Sequence, residues 1–116
     1  MTPAEILDRA ADEMERRGKA EAELTSPNGS ICAIGALCLA VNEEMWINRP
    51  FQREVRESLR TFIGDEYCLV GDGENSQIWR WNDSSDAPTV IAGLRAVAAT
   101  LRAQAAAEPI SERVTA

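Results

Sequence analysis

The chain has 116 residues, 45 % of them hydrophobic and 27 % charged, which suits one core of ordinary size and argues against disorder. Nineteen acidic residues against twelve basic give a formal charge of −7, which repels a phosphate backbone and excludes general nucleic-acid binding. The acidic surface leaves room for a basic protein partner, or for a protein that imitates nucleic acid, but a net charge of this size is first of all what solubility requires.

"TPAE" opens the first helix, with Thr2 as N-cap, Pro3 at the first helical position and Glu5 able to reach back to the cap. Ile6, Leu7, Ala10, Ala11 and Met14 then line one face while Asp8, Arg9, Asp12, Glu13 and Arg16 fill the other, which predicts a helix over 3–17 that closes at Gly18. Residues 20–32 alternate weakly around a turn signal at Ser26 to Gly29. A small hairpin pairing 20–25 with 29–32, laid against a helix, is expected there.

"SICAIGALCLAV" has no charged residue between Ile31 and Val41 and is apolar all the way round, so it reads as a central buried helix over 31–44. At about 11 residues this run is too short to span a membrane, which takes about 20. Gly35 inside it implies a neighbour lying close to the backbone. After the break at Pro50, Val55, Leu59, Phe62 and Ile63 predict a helix over 51–63. An irregular region follows, with a short strand at Tyr67 to Val70 and a turn over Gly71 to Ser76. The "SSD" triplet supplies N-caps for a last helix over 87–106 carrying Val90, Ile91, Leu94, Val97, Ala98 and Leu101 on one stripe. The expected fold is mainly α: four helices around the central one in a single domain over 1–107, then a frayed tail over 108–116.

The three cysteines and the lack of histidine bound the chemistry. A cysteine nucleophile needs a base or an electropositive helix start, and the apolar neighbours of Cys32 push its thiol towards the inert form. Cys32 and Cys38 stand some 120° apart around a helix axis, so they neither share a metal ion nor pair as a disulfide, and adding Cys68 restores no zinc spacing. "GDGENS" lacks the lysine of a phosphate loop, and a calcium loop starting at Asp72 would need glycine where Gln77 stands. No metal and no cofactor is expected. With an odd cysteine count and no apolar leader behind Met1, the expected compartment is the reducing cytoplasm.

"IWRWND" is the most distinctive segment in a chain with few aromatic residues. Trp79 and Trp81 share a side if it is extended and point about 200° apart if it is helical. One reading puts Ile78 and Trp81 in the core with Asn82 or Asp83 capping the last helix. The other makes Trp79, Trp81, Asn82 and Asp83 a binding surface with tryptophan as anchor.

Taken with "ICAIGALCLA", "RWND", the opening "LDRAADEMERRG" and the closing "VIAGLRAVAA", the chain resembles an uncharacterised family of small proteins from actinobacteria and their phages. The likeness spans residues 6–100 and is strongest at Cys32, Gly35, Ala36, Trp81, Asn82 and Asp83. Members often carry a Gly-Trp pair after the first helix, where this chain has Gly18-Lys19. The resemblance implies an origin that fits the basic residues, all arginine except Lys19. It also implies, by analogy, a phage accessory protein that binds a host protein.

Three functions follow from the sequence. A non-enzymatic binding module is favoured. A small enzyme or ligand-binding protein using Cys32 with Asn82 and Asp83, and a self-assembling protein whose helix stripe is shared with a second copy, stay open.

Overall fold

The computed structural model describes residues 1–41, 53–68 and 75–107. The described part is mainly helical: α1 (Pro3–Arg17), α2 (Ala33–Ala40), α3 (Arg53–Ile63), α4 (Ser76–Ser84) and α5 (Ala87–Ala106), with a 3-10 turn over Asp65–Tyr67 after α3. The helix α1 packs most extensively against α5, then against α2, and also touches α3, while α4 meets α2 and α3.

The outer helices follow their local signals. Thr2 caps α1 by accepting from the Glu5 amide at 3.2 Å, and Gly18 at φ +85° turns the chain out of it. Ile6, Leu7, Ala10, Ala11 and Met14 are buried along its inner stripe. Asp86 caps α5 through its side chain, which accepts from the Thr89 amide at 3.0 Å. Hydrogen bonding from the Thr89 side chain, and then from its amide, holds the Asp86 carboxyl below its ordinary range, so the cap's contribution is present at neutral pH and fades as acid protonates it. Across the α1–α5 seam Arg95 meets Asp12 at 2.8 Å and Glu15 at 2.9 Å, while Arg102 meets Asp8 at 2.5 Å. Rising numbers on α1 therefore face falling numbers on α5, and the two helices run antiparallel.

Helix α2 is buried on nearly every side, with only Leu39 partly open. It ends at Ala40 with Val41 as its C-cap. The expected extension over 42–44 lies outside the described residues, as do 51 and 52 at the start of α3. Cys32 is the N-cap of α2, its sulfur accepting from the Gly35 amide at 3.4 Å. A Cβ on Gly35 would stand 2.7 Å from the Leu24 carbonyl oxygen and 2.9 Å from Ile31 Cγ1. The close neighbour implied by a glycine in this helix is thus the backbone of the preceding loop. Gly35→Ala should destabilise the protein by about 1–3 kcal/mol in urea titration, although helix propensity alone would make alanine about 1 kcal/mol better.

Two expectations are corrected. The hairpin over 20–32 is reduced to isolated bridges, with no named strand among the described residues: Thr25 pairs antiparallel with Ile31, flanked by bonds from the Ser26 amide to Ser30 and from the Cys32 amide to Leu24, while Lys19 pairs parallel with Ile31. There are five α-helices in the described residues where four were expected. The additional one, α4, occupies part of the region read as irregular, and its first residue, Ser76, falls at the end of the turn expected over 71–76. Tyr67 sits in the 3-10 turn and not in a strand; residues 69–74, which held the rest of that expected strand and most of the turn, lie outside the described residues, as does the tail over 108–116.

Candidate functional site

Helix α4 has two faces with different work. Its inward face carries Gln77, Ile78, Trp81 and Asn82, all buried. Because the segment is helical, Trp79 and Trp81 diverge. Trp81 is 5 % exposed and meets Phe62 edge-on, ring centroids 6.3 Å apart. Its indole also lies so near Gly93 that a Cβ there would stand 2.6 Å from Cζ2, which accounts for a glycine in the middle of α5.

The polar residues of this inward face act as caps for other helices. Gln77 Nε2 donates to the carbonyls of Arg60 (3.2 Å) and Gly64 at the end of α3, and Arg60 Nε donates back to Gln77 Oε1 at 3.1 Å. Asn82, fully buried, does the same at the start of α2: its Oδ1 accepts from the Ala33 amide at 3.0 Å. Its Nδ2 donates to the Ala20 carbonyl at 2.9 Å and to Asp83 Oδ1 at 3.0 Å. Asn82 is therefore a helix cap, but for α2 and not for α5, whose cap is Asp86.

Lys19, the residue after the first helix's glycine, completes the junction. Its ammonium donates to the Asn82 carbonyl at 2.8 Å, where the C-terminal end of α4 attracts a cation, and to Glu21 at 2.8 Å. Asp83 Oδ1 accepts from the Ala22 amide at 3.1 Å. Ala22 has φ +60°, a left-handed conformation that costs a non-glycine residue about 1 kcal/mol or more. The pair Asn82–Asp83 thus binds residues 20 and 22 to the end of α4 tightly enough to hold that conformation.

The structure brings Cys32 to the same junction, with Asn82 on the neighbouring amide. The Cys32 thiol is pushed up by burial, which outweighs the opposing hydrogen bonds from the Gly35 and Ile34 amides, and the nearby Asp83 carboxylate adds a smaller push in the same direction as burial. The surroundings favour the thiol over the thiolate that a nucleophile requires. None of the three cysteines is in a disulfide; Cys32 and Cys38 are buried and Cys68 is exposed. Among the described residues no group of three or more histidine, cysteine, aspartate or glutamate side chains could hold a metal ion. A mild alkylating reagent at neutral pH should label Cys68 rapidly and the other two only in denaturant, as read by mass spectrometry of the intact chain. Fast labelling of Cys32 in the folded protein would contradict this account of its environment.

The outward face of α4 carries Trp79 and Asp83, one turn apart. Together with Glu66, Tyr67, Arg80 and Ser84 they line a surface concavity of about 210 Å³. Arg80 lies over the Trp79 ring, its guanidinium carbon 5.1 Å from the centroid, and donates to the Tyr67 carbonyl at 3.1 Å. Of the four residues singled out in "WRWND", then, Trp79 and Asp83 reach this concavity while Trp81 and Asn82 face the interior. The contributions of Glu66, Tyr67, Arg80 and Ser84 were not visible in the sequence, since no local pattern places a 3-10 turn against the far side of α4. A second groove of about 310 Å³ runs between α3 and α5, beside Phe62, Val97, Thr100 and Gln104. Phe62 is half exposed there.

None of the described helices is long and apolar enough to cross a membrane. Residues 1–100 match DUF6197, a family of unknown function, and the chain belongs to that family. No curated protein and no solved structure matches the chain.

Proposed function

We propose that this chain is a small non-enzymatic binding module of the cytoplasm, encoded by an actinobacterial phage, that docks on a basic host protein and modulates it. The observation that carries the reading is the division of α4. Its inward residues are committed to caps and core, whereas Trp79 and Asp83 stand beside Tyr67 and Glu66 in an open concavity on an acidic chain. A tryptophan with a charged rim is the composition of a binding hot spot. The arginine bias supports the origin, and the net charge of −7 supports a basic partner over a nucleic acid.

The enzymatic alternative draws on the junction of Cys32 with Asn82 and Asp83. It is the weaker reading because burial holds the thiol protonated and both polar groups of the Asn82 amide already serve backbone partners.

The test is capture of a partner from host lysate on immobilised protein. Trp79→Ala should lose the captured protein while circular dichroism and thermal midpoint stay within the range of a surface substitution, about 1 kcal/mol. Capture that survives Trp79→Ala at undiminished yield would remove this surface from the reading.

A further inference from the structure

The hydrogen bonds of Asp83 are asymmetric. Both donors, the Ala22 amide at 3.1 Å and Asn82 Nδ2 at 3.0 Å, go to Oδ1, so the carboxylate is fixed from one side. Among the described residues nothing donates to Oδ2. Asp83 is half-buried and lines the concavity, so a charged acceptor has been set in place at its edge before any ligand arrives. Glu66 adds a second carboxylate to the lining.

The aromatic part of the lining indicates which kind of cation fits. Arg80 lies 5.1 Å from the Trp79 centroid, so this indole already takes a planar guanidinium. Its donor to the Tyr67 carbonyl holds Arg80 in the wall of the concavity. Among the described lining residues Glu66, Asp83 and Arg80 sum to one net negative charge, and the whole chain carries −7. A guanidinium is more weakly hydrated than an ammonium, stacks on rings and donates in a plane, so it gains from both the aromatic wall and the carboxylate. A volume of about 210 Å³ suits one long side chain and not a folded element.

The geometry points to an arginine side chain of the partner as the occupant of this concavity, its guanidinium donating to Asp83 Oδ2 beside the rings of Trp79 and Tyr67. This assignment rests on the docking reading above and names the group that the docking surface recognises.

The test titrates three blocked tripeptides, Gly-Arg-Gly, Gly-Lys-Gly and Gly-citrulline-Gly, into the full chain. The readout is the Trp79 indole N–H and the Asp83 and Ser84 amides by NMR. The arginine peptide should shift these signals with an affinity at least about five-fold above that of the uncharged citrulline peptide and above lysine, weakening with added salt. Asp83→Asn keeps an oxygen for the Ala22 amide and should abolish the arginine preference with the remaining spectrum unchanged. Should that variant unfold, Glu66→Gln, at an exposed position, should weaken the arginine peptide about two- to three-fold. Equal shifts from arginine and citrulline, or an arginine preference untouched in the folded variants, would overturn the assignment. No shift from any peptide, alongside Trp79-dependent capture from lysate, would overturn the guanidinium and leave the docking surface standing; loss of that capture is the separate result that removes the surface.

Discussion

Asn82→Ala should cost about 3–5 kcal/mol of stability, because it strips the partners from the buried Ala33 amide and from the Ala20 carbonyl, each worth about 1–3 kcal/mol when left unsatisfied. Urea titration by circular dichroism measures it, and a loss below about 1 kcal/mol would show that the two bonds are dispensable. Asn82→Asp offers a sharper control. Its oxygen can still accept from Ala33, but the ionised form has no donor for Ala20 and buries a charge next to Asp83. Such a carboxyl has its folded-state pKa raised above the unfolded value, so the folded state binds more protons and this variant should gain stability as pH falls. The expected profile thus runs opposite to that of the Asp86 cap.

Trp81→Ala should be as damaging, about 3–5 kcal/mol, since it removes a buried indole wedged between Phe62 and Gly93 and leaves a cavity. Trp79→Ala two residues away should cost less, about 1 kcal/mol, from the loss of the Arg80 contact and of the partial packing of the indole against the edge of the core. The contrast separates scaffold from surface within one turn of helix. Thermal unfolding of the two variants side by side checks it, and comparable losses in both would mean that Trp79 is also part of the core.

How far the sequence discloses this architecture depends on how local each determinant is. Helices α1 and α5 follow from Thr2 with Pro3, from Asp86 before Ala87, and from apolar stripes of period 3.6, all of which lie within a few neighbouring residues. Gly35 announces a close approach but not which segment approaches, because Leu24 reaches it only through the fold of the loop. Helix α4 escapes detection for a physical reason. Its N-cap Asn75 makes no side-chain cap bond, and half of its inward face is polar, Gln77 and Asn82 standing where a stripe would place apolar residues. Those amides are buried because they cap helices 17 and 49 residues away, pairings that no local pattern encodes.

The candidate site divides in the same way. "WRWND" stands out by composition, and the alternation of tryptophans poses the right question about helix or strand. The answer, Trp81 inward and Trp79 outward, depends on α4 packing against α2 and α3. Lys19 gains its meaning only once the end of α4 is seen beside it, with the Asn82 carbonyl 2.8 Å away. The left-handed Ala22 is likewise invisible without Asp83, which holds its amide.

Native-state hydrogen exchange at the Ala33 amide tests the central claim most directly: that one buried side chain of α4 fastens the start of α2. If Asn82 holds that amide as described, Ala33 exchanges only through global unfolding, with the same protection as the slowest amides of α1. Exchange of Ala33 several orders of magnitude faster than those amides, under conditions where the fold is intact, would contradict it.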